Sequence, residues 1–201
     1  MFNLIRRDVI LQKRQLLLFI PAILFFIIMG APPILTILVA SIFIPFNTYA
    51  YDEKVETNIL LNSLPYTRRE IIASRYLGAI VYMVLAIGIT SLALFVFNTP
   101  FTLTDISIGS GLFLLFAALT FPLFQILKPG YITTVILATF ILLTFLARPI
   151  GLFIAEHLTG MIDFIVNLSV TTLYTWATLI IVGLYLTSWG ITTLIYQRKA
   201  F

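Results

Sequence analysis

The sequence predicts an all-α integral membrane protein, and three observations point to it. Hydrophobic residues make up 61% of the 201 positions and charged residues only 10%, against roughly a quarter charged in soluble domains. The apolar runs last about 15 to 25 residues and lack the alternation of barrel strands, which suits membrane-crossing helices. The remaining charge is gathered rather than scattered. Eight of the twenty charged residues fall in Tyr51–Arg75 (YDEKVETNILLNSLPYTRREIIASR), between two apolar segments. Unpaired charge in hydrocarbon costs several kcal/mol, so this stretch stands in water while its flanks stand in lipid.

The chain opens on Met1–Arg14, where Phe2, Ile5, Val9 and Lys13 lie near one face and Arg6, Arg7, Gln12 and Arg14 lie largely elsewhere. That pattern predicts an interfacial helix, apolar side chains dipping into the headgroup boundary and basic ones meeting anionic lipid. Its basic start imitates a secretory signal, but no small-x-small cleavage site follows before Pro32-Pro33, and the segment reads as retained. Gln15–Met29 and Ile34–Ala50 are the first two apolar runs, separated by Gly30-Ala31-Pro32-Pro33. Each rises about 25 Å as a helix, short for a core of about 30 Å, so the pair reads as two thin spans or as a re-entrant hairpin. Pro45 is expected to kink the second.

Within the charged stretch, Asp52–Leu64 carries Val55, Ile59 and Leu60 on one stripe between Glu53, Glu56 and Asn62, which predicts a short amphipathic helix. Pro65 ends it. Thr67-Arg68-Arg69-Glu70 then reads as a capping box that starts the next helix. Tyr76–Phe97 is the third span, ending at Asn98-Thr99-Pro100, and Phe101–Ser107 is expected to be a loop. Ile108–Leu127 is the fourth span, with Pro122 inside it, followed by a turn at Lys128-Pro129-Gly130. Tyr131–Ala147 is the fifth, closed by Arg148-Pro149.

Ile150–Leu168 is apolar but interrupted by Glu156, His157 and Asp163, and predicts one or two short helices at the membrane surface or dipping into it. Ser169–Tyr196 is the last span, with Tyr174 and Trp176 near one boundary and Tyr196 at the other, where interfacial aromatics sit. Gly78, Gly88 and Ser91 are small enough to let helices approach closely, although ordinary packing explains them as well. With no internal repeat, linker or low-complexity segment, residues 1–201 read as one domain. Six crossings with both termini cytoplasmic place eleven of the twelve Lys and Arg residues inside and only Arg148 outside. This bias also accounts for the basic balance, a net charge of +4, as an orientation signal rather than a nucleic-acid surface.

The chemistry carried by the residues is sparse. There is no cysteine and one histidine, and no acidic residue lies in the middle of a span, which argues against a self-contained ion-coupled transporter. No G-x-x-x-x-G-K-S/T or G-x-S-x-G motif occurs, so the chain is expected neither to bind ATP by a P-loop nor to act as a serine hydrolase. Glu156, His157 and Asp163 lack metal-ligand spacing and read as a wetted helix face. No catalytic, cofactor-binding or metal site is expected.

The order of these elements, with the segment Y-D-E-K-V-E-T-N-I-L-L-N-S-L-P-Y-T-R-R-E-I-I-A-S-R-Y between the second and third spans, resembles the ATP-binding-cassette type 2 exporter permeases. It is most similar to their short bacterial members, among them permeases of phenol-soluble modulin and other antimicrobial-peptide exporters. The resemblance implies six transmembrane helices, an N-terminal connecting helix bearing Arg6 and Arg7, and a cytoplasmic coupling helix at 52–64. It also implies an extracellular re-entrant helix pair at 150–168 holding Glu156, His157 and Asp163. Asp52, Glu53, Glu56, Asn58, Leu60, Leu61, Leu64 and Arg68 would touch a cytoplasmic ATPase subunit, which would hold the ATP and magnesium that this chain does not. A second permease, identical or related, the bilayer of a bacterial cell and an amphipathic peptide or lipid-like cargo complete the implied partners, with no nucleic acid. Two other readings stand beside it. A non-transporting immunity or scaffold protein would need no rigid helix against an ATPase, and an intramembrane enzyme would need a functional Glu156, His157 or Asp163.

Overall fold

Helices are the rule wherever backbone must cross lipid, because each N–H and C=O must find its partner within the chain. The computed structural model describes residues 13–54, 67–127, 131–157 and 167–198, and among these described residues there are six helices. They are α1 (Lys13–Ile28), α2 (Pro33–Lys54), α3 (Arg68–Val96), α4 (Leu103–Ile126), α5 (Ile132–His157) and α6 (Val170–Arg198). Among the described residues, α3, α4 and α6 are long and apolar enough to cross a membrane, while α1 and α2 contribute the shorter apolar segments Leu18–Ile28 and Pro33–Asn47.

The boundaries follow local chemistry. At the end of α1, Gly30 takes φ +69°, its N–H reaches the Ile27 carbonyl at 3.0 Å, and the Ala31 N–H reaches that of Phe26 at 3.0 Å. A left-handed residue is required there, and glycine adopts it without the Cβ penalty. Pro33 then opens α2 at the one helical position where a missing N–H does no harm. Asn98 closes α3 in the same way, with φ 53° and with bonds from Asn98 and Thr99 to the Phe95 and Leu94 carbonyls. Asparagine is one of the few residues with a side chain that tolerates this conformation.

Three boundaries differ from the sequence expectation. Helix α2 does not stop at Ala50 but carries Tyr51–Lys54 as its last turn, because intrahelical hydrogen bonding does not end where apolarity does. Phe101–Ser107 is not a loop. Thr102 caps α4, its hydroxyl accepting from the Asp105 N–H at 3.3 Å while Asp105 accepts from the Thr102 N–H at 2.7 Å. Nor does Arg148-Pro149 close the fifth helix. Helix α5 runs through to His157, losing one backbone bond at the proline as membrane helices tolerate.

In packing, α2, α3, α6 and α4 form a closed ring, each touching the next and α4 returning to α2. Helix α1 lies against α2 and α3, and α5 lies lightly against α4 and α2. The ring encloses a mostly aromatic core of Phe46, Tyr76, Phe113, Phe116, Phe121 and Tyr185 with their neighbours. Lipid tails are as apolar as leucine, so this core is held by close packing and interhelical hydrogen bonds rather than by escape from water. Helices α4 and α2 approach closely at Gly109, where an added Cβ would stand 2.9 Å from Ile37 Cγ2 and 3.2 Å from the Ile34 carbonyl oxygen of α2. Gly88, one of the small residues picked out in the sequence, has nothing within 4 Å of such a Cβ and marks no close contact. The outer faces carry large exposed apolar side chains, among them Leu92, Phe95, Phe145 and Leu186. Surface of that kind on so many helices is lipid-facing.

Candidate functional site

The functional candidate is the place where the charged stretch feeds into the helix ring. Thr67 caps α3 as its T-x-x-E pattern requires. Its hydroxyl oxygen accepts from the Glu70 N–H at 3.3 Å, and the Glu70 carboxylate accepts from the Thr67 N–H and hydroxyl, both at 2.9 Å. Glu70 sits in the polar first turn, ahead of the apolar run that begins at Tyr76. The two bonds from Thr67 hold its carboxyl below the ordinary range.

Arg68, on the same turn, reaches across the bundle. Its Nη1 donates to the Gln197 carbonyl at 2.8 Å, one of the carbonyls that the end of α6 leaves without a helical partner. A cation at a helix C-terminus also meets the negative end of the macrodipole. The start of α3 is therefore tied to the end of α6.

Two turns further in, the tie is repeated in the core. The Tyr76 hydroxyl lies 2.8 Å from Ser188 Oγ and 2.7 Å from Thr192 Oγ1 on α6. Ser188 donates to the Ala118 carbonyl of α4 at 2.6 Å, and the Tyr185 hydroxyl donates to the Tyr76 carbonyl at 2.9 Å. The Tyr76 ring stacks on Trp189 with centroids 5.6 Å apart and meets Phe121 edge-on at 5.0 Å. Each interhelical bond of this kind contributes about 0.6 kcal/mol, up to about 1.7. Together they join α3, α4 and α6.

Of the residues named from the sequence, Arg68 is at this junction. Asp52 and Glu53 occupy the last turn of α2, so the beginning of the expected coupling helix is a continuation of α2. Glu156 is exposed near the end of α5, and His157 is its last residue. Arg6, Arg7, Glu56, Asn58, Leu60, Leu61, Leu64 and Asp163 lie outside the described residues. Tyr76, Ser188 and Thr192 were not singled out from the sequence as a group. The signal for them was a stripe in the last span, Tyr185, Ser188, Thr192 and Tyr196, spaced three to four apart and buried together.

Among the described residues, long apolar helices with lipid-facing outer surfaces and a hydrogen-bonded junction at the start of α3 define an integral membrane protein. The model of the ABC-2 family transporter protein matches residues 3–197, and the chain belongs to that family. Members are transmembrane components of ABC transporters and are not themselves catalytic, and membership implies association with an ABC ATPase. No curated protein and no solved structure matches the chain.

Proposed function

We propose that the chain is the six-span permease subunit of an ABC exporter, working with a second permease copy or relative and two cytoplasmic ATPase subunits. The observation that carries this reading is the family match across nearly the whole chain. The capped, cross-braced start of α3 supports it in physical terms. In this reading Tyr51–Arg75 is the coupling segment, with Asp52, Glu53, Glu56, Asn58, Leu60, Leu61, Leu64 and Arg68 against the ATPase, and Arg6 and Arg7 beside it. ATP and magnesium are bound in the partner. Closure of the ATPase dimer displaces the segment, and the displacement passes through Arg68 and the Tyr76 junction to α6 and α4, alternating exposure of the pathway.

Both termini face the cytoplasm of a bacterial cell, and Glu156, His157 and Asp163 lie on the external side. The bundle's apolar and aromatic surfaces suit an amphipathic peptide or lipid-like cargo better than a sugar or an ion. Co-purification with a co-expressed cytoplasmic ABC ATPase from the same cell tests the reading. Association that Glu56→Arg weakens is expected, and an ATPase that never associates, or associates equally with the variant, would overturn it.

A further inference from the structure

A groove of about 520 Å³ runs between α4 and α6, within the range of about 300–1,000 Å³ for ligand sites. Leu115, Leu119, Leu184 and Ile191 give it apolar walls, with Thr187 and Ser188 the polar side chains among its lining. Both hydroxyls are already engaged, Thr187 with the Gly183 carbonyl at 2.8 Å and Ser188 with that of Ala118 at 2.6 Å. Leu119, Leu184 and Ile191 are exposed, so the groove opens toward the bilayer and offers a hydrocarbon surface.

The faces that form it lead to a positive charge. Arg198 lies eleven residues, three helical turns, beyond Thr187, so it falls in line with Thr187 and Ile191 at the end of α6. Ile126 continues the line of Pro122 on α4 in the same way. Arg198 and Ile126 are exposed, and Arg68 brings a second guanidinium against the neighbouring Gln197 carbonyl. From Thr187 to Arg198 the helix rises about 16 Å, close to half the roughly 30 Å hydrocarbon core. An acyl chain of one leaflet lying in the groove from the bilayer midplane thus brings its phosphate to the Arg198 guanidinium, which favours phosphate by charge and by forked geometry.

We propose that the α4–α6 groove binds an anionic glycerophospholipid of the leaflet facing the C-terminal end of α6, its acyl chain between Leu119 and Ile191 and its phosphate at Arg198. The proposal requires that the chain lie in a membrane and does not depend on transport. The purified protein is placed in nanodiscs of phosphatidylcholine containing a minor share of phosphatidylglycerol with identical chains, and the lipid retained after delipidation is weighed by native mass spectrometry. Retained phosphatidylglycerol is expected to be enriched about fivefold, the effect of one interfacial basic residue.

Arg198→Gln is expected to abolish the enrichment while phosphatidylcholine is still retained, and Arg198→Lys to keep most of it. Thr187→Phe fills the groove and should release both lipids. Because the Thr187 hydroxyl bonds only within its own helix, folding should survive. Leu119→Phe, on the facing wall, serves the same purpose should it not. Equal retention of the two lipids by the unsubstituted protein, enrichment unchanged in Arg198→Gln, or retention unchanged in both groove-filling variants would overturn the proposal. So would a lipid-free dimer that Thr187→Phe splits, since a second copy would then be the occupant.

Discussion

Replacing Tyr76 by phenylalanine isolates the junction on which the transmission of movement depends. The substitution deletes one hydroxyl, and with it the contacts to Ser188 Oγ at 2.8 Å and Thr192 Oγ1 at 2.7 Å. It leaves the ring that stacks on Trp189 and Phe121. Ser188 and Thr192 keep their own carbonyl partners, Ala118 and Ser188, so no donor is orphaned. With the Ser188 and Thr192 protons committed to those carbonyls, the Tyr76 hydroxyl has one proton to share between the two oxygens, so the expected destabilisation is about 0.6 kcal/mol and at most about 1.7. Tyr76→Ala, which also empties the ring's place, should cost about 3–5 kcal/mol.

Unfolding in mixed micelles of increasing sodium dodecyl sulfate, followed by tryptophan fluorescence, reads both losses, and Trp189 reports directly on the junction. A double-mutant cycle of Tyr76→Phe with Ser188→Ala should give a coupling of about 0.6 kcal/mol. Tyr76→Phe as stable as the unsubstituted protein, with zero coupling to Ser188, would refute the hydrogen-bonded junction. Tyr76→Phe as damaging as Tyr76→Ala would refute the division between ring and hydroxyl.

Other expectations follow from single features. Gly109→Leu should destabilise by about 1–3 kcal/mol, because the side chain must enter space held by Ile37 and the Ile34 carbonyl, whereas Gly88→Leu should change stability little; the same unfolding curves decide. Arg68→Ala should speed amide hydrogen exchange in the last turn of α6 around Gln197, leaving exchange in the middle of α3 unchanged. Thr67→Ala should cost about 1 kcal/mol through the lost cap. The Glu70 carboxyl titrates below its ordinary 4.5 when folded, so its contribution is present above 4.5 and is lost as pH falls through the folded value. On acidification through that range the unsubstituted protein should therefore lose stability relative to Glu70→Gln.

Much of the bundle was legible in the sequence because the rules that governed it were local. The capping box at Thr67 and Glu70, the stop at Asn98 and the break at Gly30-Ala31-Pro32 each depend on a few adjacent residues. The start of α4 was equally local but was missed. Phe101–Ser107 reads as a polar interruption unless Thr102-Leu103-Thr104-Asp105 is recognised as the same cap with aspartate in place of glutamate. Pro149 misled in the opposite sense, since a proline that ends a helix in water is tolerated in a membrane helix, where the remaining backbone bonds are kept and neighbouring groups re-satisfy the freed carbonyl. The Tyr76 junction was beyond sequence reading for a different reason. Its partners are 112 and 116 residues away, and although periodicity shows that Ser188 and Thr192 share a face, it does not show what that face meets. Gly109 likewise looks no different from Gly88 until α2 is placed beside it.

The transport reading rests on the charged stretch between α2 and α3 lying on the side where an ATPase can reach it. The chain has no cysteine, so Asn58→Cys provides a single thiol in the middle of that stretch. In intact cells a membrane-impermeant maleimide should leave it unlabelled, and labelling should become complete once the membrane is opened. Full labelling of Asn58→Cys from outside unbroken cells would contradict the assignment.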